Sequence, residues 1–271
     1  MKSKVHNSLQ NSNVAIEDID QSIDPDDQHS YEAIEPIVVL VFGKGGVGKT
    51  LVAQVALIAL QESDREAIGI DADASNSSLK RQLSSAIMLD MSDSSSVVSN
   101  LELLMIEHVF QNRRSVVIDT GGGSDKAIRQ WLSIAKVQDI FSRQGVGIVA
   151  LTVIDSSLDA ASHVMETADT LQGLPHVLVM NLGHTPGTMG ERAFQPLMSD
   201  HEFRTYVKAM PKIVMPRLPD AVELDGWGAR LHTINHPTSP ANHNPFVVDR
   251  TETWIKEVSG AMLPLLSKGS S

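Results

Sequence analysis

The chain contains no cysteine. That excludes disulfides, thiolate metal sites, the sulfur ligands of a metal-cluster carrier and a cysteine nucleophile. No apolar run approaches the roughly 18 residues that a membrane-spanning helix needs. The first 30 residues lack the apolar centre of a secretory signal, so a cytoplasmic protein is expected. Positive charge is also scarce: 22 Lys and Arg stand against 33 Asp and Glu, for a formal charge of −11. The imbalance is concentrated before Ile37, where two lysines face eight acidic residues. A broad nucleic-acid-coating surface is therefore not indicated, although a local basic patch remains open.

What the sequence does have is one dense stretch, Gly43-Lys44-Gly45-Gly46-Val47-Gly48-Lys49-Thr50. It follows the β-branched run 37–42 and precedes a helical pattern over 51–60 without Gly or Pro. Strand, Gly-rich loop and helix in that order are the context of a phosphate-binding loop. The glycines let successive N–H groups turn inward as an anion nest, and the helix start adds its positive dipole end. Gly45, Gly46, Val47 and Gly48 would line the nest. Lys49 would reach the β- and γ-phosphates, and the Thr50 hydroxyl would ligate Mg²⁺.

The 271 residues suffice for one sizeable α/β domain, expected over 36–271 as a P-loop ATPase domain, after a disordered acidic tail over 1–35. A short strand at 66–70 leads into Asp71 and Asp73. Two carboxylates beyond a strand end suit an ion-bound or attacking water; one of the two is expected to cap the next helix instead. Residues 97–110 have the spacing of a core helix. The strand at 116–118 ends in Asp119-Thr120-Gly121-Gly122-Gly123. An Asp there would hold Mg²⁺ through water, and the glycines would let backbone approach a γ-phosphate and switch. Further strands at 147–153, 176–180 and 213–215 alternate with helical patterns. The expected architecture is a doubly wound, mainly parallel sheet with helices on both faces. His232 and His236 lack a third ligand and read as surface histidines. The amphipathic stretch 249–266 has too little basic charge for anionic lipid and reads as a helix closing the core.

Lys44, inside the loop, gives Lys-Gly-Gly-Val-Gly-Lys-Thr. This resembles the deviant Walker A motif of the ParA/MinD ATPases, and the motif order over residues 37–225 is similar. The resemblance implies ATP and Mg²⁺ as cofactors and an ATP-dependent homodimer in which Lys44 reaches the partner's nucleotide. It implies that Asn181 and Pro219 contact adenine. It also implies slow hydrolysis stimulated by a partner or adaptor protein, with Asp73 placing the water. Two departures stand out. Ala74-Ser75-Asn76 replace the Pro-Gln-Gly that usually follows Asp-x-Asp in partition ATPases, and Gly121-Gly122 replace prolines after Asp119. In both, the chain looks more like the conjugal-transfer TraL and plasmid-stability StbB proteins. The expected function is a weakly hydrolysing dimerisation switch in plasmid partition, stability or conjugal DNA transfer. Two alternatives stand beside it: a MinD-like regulator positioning another cargo, and a nucleotide-binding adaptor that does not hydrolyse. Non-specific DNA would be held by Lys208, Lys212 and Arg217, expected near the nucleotide end of the late strands. A solvated scatter of charge is the rival reading of those three.

Overall fold

The computed structural model describes residues 35–267, apart from 74–75, 92–93, 122, 135 and 186–188. The expected acidic tail falls outside the described residues except at Glu35, as do Ala74, Ser75 and Gly122. Seven strands form one sheet: β1 Ile37–Phe42, β2 Ala67–Ala72, β3 Ile87–Met88, β4 Ser115–Thr120, β5 Gly147–Ile154, β6 His176–Asn181 and β7 Lys212–Met215. Their order is β3-β2-β4-β1-β5-β6-β7, and each pairing among the described residues is parallel. A parallel sheet is covered on both faces, which is why β1, residues 116–118 of β4 and residues 148–151 of β5 read as apolar runs rather than alternating ones. All six residues of β1 are buried.

The two faces divide β1 by parity. Ile37, Val39 and Val41 meet α1 (Lys49–Glu62) and α10 (Pro245–Ser267), together with α2 (Ser78–Gln82) and α9 (Ala221–Trp227). Val38, Leu40 and Phe42 meet α3 (Ser94–Leu104), α4 (Asp125–Ile134) and α5 (Val137–Arg143). Toward the β7 edge that second face is completed by α6 (Asp159–Thr170), α7 (Gln195–Ser199) and α8 (His201–Val207). The predicted two-sided α/β architecture is thus present. Helix α1 is apolar nearly all round because α10 covers the side away from the sheet. The helical spacing over 97–110 is one continuous element, but its last part, Met105–Gln111, widens into π-helical turns.

The chain leaves β1, builds β2 and β3 to one side, returns as β4 beside β1, and then crosses to β5 on the other flank. The turn after β1 therefore sits where the winding reverses. In open parallel sheets, that crevice at the carboxyl ends of the strands is where ligands bind.

Candidate functional site

The loop after β1 descends from Phe42 into Gly43 and re-enters the fold at Val47, whose side chain is buried against the α1 face of the core. Gly45 and Gly46 form the exposed tip. Gly48 caps α1 with φ +98°, a left-handed conformation that costs a side-chain-bearing residue, and a Cβ there would strike the Asn181 amide. Lys49 is the first residue of α1, and its ammonium folds back over the loop. It donates to the carbonyl oxygens of Gly43 at 2.9 Å and Lys44 at 3.1 Å. Burial pulls its pKa below the usual lysine value, while the charges of Asp119, Asp125 and Asp73 push back.

Thr50 connects the loop to β4. Its Oγ1 donates to Asp119 Oδ2 at 2.7 Å, across 69 positions of sequence. Asp119 lies one residue before the end of β4 and is buried. Thr120 pins that strand end by donating from Oγ1 to the Val41 carbonyl at 2.7 Å. Burial pushes the Asp119 carboxyl up to about 7. The Thr50 hydrogen bond and Lys49 oppose the rise, and Asp71 and Asp73 add to it. Asp71 is the register partner of Asp119 on the neighbouring strand, so two carboxylates lie side by side at one level of the sheet.

The two carboxylates after α1 lie in different surroundings. Strand β2 runs two residues beyond the predicted end, so Asp71 lies inside the sheet and fully buried. Its Oδ2 accepts from Lys80 N at 2.8 Å, in the first turn of α2, and its Oδ1 accepts from Asp73 N at 2.9 Å. Asp71 is the capping acid. Asp73 lies beyond the strand, where its Oδ1 accepts from Asn76 N at 3.2 Å. It packs against the glycine after β4: a Cβ on Gly121 would come within 2.5 Å of Asp73 Cα. Gly121 O then accepts from Ser124 N at 3.1 Å and Asp125 N at 3.0 Å, which closes the turn into α4.

Lys44 is ion-paired within its own chain. Its Nζ lies 2.8 Å from Asp159 Oδ2, at the first residue of α6. One turn along α6, His163 Nε2 is 3.3 Å from Asp125 Oδ2, and Arg129 Nη2 is 3.6 Å from Glu166 Oε2. Desolvation raises the Asp125 pKa and lowers that of His163. Helix α6 therefore touches both the loop lysine and the helix that follows the Gly121 turn. Local sequence patterns do not single out Asp159, Asp125, Arg129 or His163, because their meeting depends on β5 lying beside β1.

Asn181, at the end of β6, is brought to the loop rather than left facing outward. Its Nδ2 donates to the Val47 carbonyl at 2.7 Å, and its Oδ1 accepts from Gly183 N at 2.8 Å. Pro219 lies half-buried in the turn after β7, next to Leu218. Leu218 lines a cavity of about 320 Å³ together with Thr50, Leu51 and Gln54. Gln54 Nε2 donates to the Thr50 carbonyl at 3.4 Å, and its buried Oε1 has no hydrogen-bond partner.

The basic trio is not one patch at the nucleotide end. Lys208 follows α8, and Lys212 opens β7 with its Nζ bonded to the Val207 and Met210 carbonyls. Only Arg217 follows the carboxyl end of β7. Parallel β7 runs the same way as β1, so the two lysines sit at the sheet edge opposite the loop. Among the described residues no group of three His, Asp or Glu could hold a metal, and His232 and His236 are exposed. No helix among them is long and apolar enough to cross a membrane.

No protein-family model and no curated protein matches the chain. Among solved structures it is similar to the MinD cell division protein of Aquifex aeolicus, at 18% identity and TM-score 0.48, covering 80% of this chain and 95% of that one. It is similar to the MinC:MinD cell division protein complex of the same organism, at 16% identity and TM-score 0.48, covering 80% and 94%. A third likeness is to the cell division protein FtsY of Thermotoga maritima, at 15% identity and TM-score 0.40, covering 54% and 52%. All three are likenesses of architecture.

Proposed function

We propose that the chain is a Mg²⁺-dependent ATP-binding switch that hydrolyses slowly and dimerises in the ATP state. The observation that carries this reading is the 2.7 Å bond between Thr50 Oγ1 and Asp119 Oδ2 beside the Lys49 ammonium. A hydroxyl and a carboxylate next to a phosphate loop are the protein oxygens that Mg²⁺ takes when substrate phosphates and water complete its shell. The buried acid and the buried ammonium both lack full solvation, and a metal-bound triphosphate supplies a counter-charge to each. When bound, Mg²⁺ neutralises phosphate charge and orients the phosphates.

The chain's own residues divide the remaining work. The N–H groups of Gly45 to Thr50 hold phosphate oxygens. Lys49 neutralises the terminal phosphates, and Asp73 orients the attacking water. The Gly121 turn, pressed against Asp73, senses whether the γ-phosphate is present. Lys44 leaves Asp159 for the partner's nucleotide. The preference for adenine rests on the resemblance of the Gly43 to Thr50 loop to the deviant Walker A motif of the ParA/MinD ATPases. The Asp-x-Asp-x-x-Asn and Asp-x-Gly patterns support service in plasmid maintenance or conjugal transfer, with an adaptor protein stimulating turnover.

The test is calorimetric titration with ATP and GTP, with and without Mg²⁺. Tight binding that needs Mg²⁺, favours ATP and disappears in Lys49→Ala is expected. Binding unaffected by Lys49→Ala would place the nucleotide elsewhere, and equal affinity for GTP would refute the adenine assignment.

A further inference from the structure

We infer that Asn181 is a positioning residue for the phosphate loop, acting through the Val47 carbonyl, and not a reader of the base. The inference rests on the nucleotide-binding reading above and deepens it.

Asn181 is 2% exposed. Its orientation is fixed by chemistry on both sides. The Val47 carbonyl can only accept and the Gly183 N–H can only donate, so Nδ2 must face the loop and Oδ1 must face Gly183. A reversed amide would set oxygen against oxygen. The amide also lies so close to Gly48 Cα that any side chain there would collide with it. Both ends of the amide are therefore engaged with backbone, and its flank is covered by the loop itself.

The consequence for the loop follows from peptide geometry. The chain has no cis peptide among the described residues, so the Val47 C=O and the Gly48 N–H point in opposite directions. Asn181 arrives from β6, two strands away from β1, and draws the Val47 carbonyl toward that flank. The Gly48 N–H is thereby turned the other way and kept available to an anion. Gly48 has no side-chain cap of its own for α1, and its left-handed backbone gives it unusual freedom to rotate. The Asn181 amide supplies the restraint that the loop sequence cannot. A nest works only when its N–H groups already converge before the anion arrives.

The test uses the full chain, three ligands and two variants. Competition binding is measured for Mg-ATP, Mg-GTP and Mg-tripolyphosphate, which has no base. Asn181→Ala removes the clamp. Asn181→Asp keeps the acceptor for Gly183 but sets an acceptor against the Val47 carbonyl. Both variants are expected to weaken all three ligands by the same factor, about tenfold, the order of one lost buried hydrogen bond. The ATP-to-GTP ratio stays at the wild-type value. In unliganded protein the amide resonances of Val47, Gly48 and Lys49 shift or broaden in both variants, which loss of a base contact does not produce. Loss of ATP affinity with tripolyphosphate binding intact overturns the inference and makes Asn181 a base reader. Wild-type affinity for all three ligands in both variants overturns it as well. A wild-type protein that binds none of the three refutes the nucleotide reading itself, an outcome distinct from the other two.

Discussion

Lys44 and Asp159, 115 positions apart, form an ion pair with 2.8 Å between Nζ and Oδ2. The pair raises the lysine pKa and lowers that of the aspartate, chiefly through their mutual hydrogen bond. Both groups are solvent-exposed, and such pairs contribute little to folding stability. Its interest is positional: the lysine proposed to act on a partner's nucleotide is held at the mouth of its own loop. Asp159→Ala should leave the melting temperature unchanged and let the ATP-bound dimer form at several-fold lower protein concentration. A concentration series in the ultracentrifuge reads this directly, and a variant dimer no tighter than wild type would count against a holding role.

The proposed Mg²⁺ contact of Asp119 carries a pH dependence. With its carboxyl pushed up to about 7, it is protonated over much of the acid range and competes with Mg²⁺ there. Mg-ATP affinity should fall below about pH 7, by up to about tenfold per pH unit, and Asp119→Asn should flatten the profile while lowering it. A wild-type affinity that is level from pH 5 to 8 would remove Asp119 from the metal site.

His176 gives a separate pH effect, on folding stability. It opens β6, where its Nε2 meets Thr152 Oγ1, and burial lowers its pKa to about 4. It is neutral in the fold and gains a proton on unfolding below about 6.5. Its contribution is complete above pH 6.5 and is lost as pH falls toward 4, on the order of 3 kcal/mol in all. Asp119, raised instead, has the reverse effect: metal-free stability falls as pH rises from about 4 through 7. The two oppose each other in the wild type, so single variants reveal them. Denaturant titrations of His176→Asn between pH 4 and 7 should lack the acid loss and show only the decline with rising pH. A variant as acid-sensitive as wild type would contradict the assignment.

Asp73 and Gly121 should behave as one unit in turnover. Asp73→Ala removes the group proposed to place the water and leaves the phosphate contacts, so ATP binding persists while hydrolysis drops by about 10²-fold or more. Gly121→Ala drives a methyl into Asp73 and should reproduce the same split between binding and turnover. Single-turnover phosphate release measures both. Undiminished hydrolysis in Asp73→Ala would assign the water to another residue.

The parts of the site that were legible in the sequence are those written in consecutive residues. Residues 37–60 carry strand, loop and helix in one run, and Asp119 ends an apolar strand. The parts that were not legible depend on which strands become neighbours. Asp159 meets Lys44 only because β5 pairs with β1, and nothing near Asp159 signals that. The burial of Asp71 and the position of Asp73 beyond the strand turned on two extra residues of β2. Lys208 and Lys212 were misplaced because a short strand separates them from Arg217, and its direction in the sheet reverses the reading. Helix α4 left a usable signal in the spacing of Ile128, Trp131 and Leu132, all buried on one face, although the glycines before it suggest only a loop.

Coupling of the triphosphate state to association is the core of the proposed switch. Sedimentation velocity of the wild type and of Lys44→Ala, each without nucleotide, with ADP and with a slowly hydrolysed ATP analogue plus Mg²⁺, tests it most directly. A dimer is expected only for the wild type with the analogue, with a Lys44→Ala protein that binds the analogue yet stays monomeric. A wild type with the same oligomeric state in all three conditions, or a Lys44→Ala dimer as tight as wild type, would contradict it.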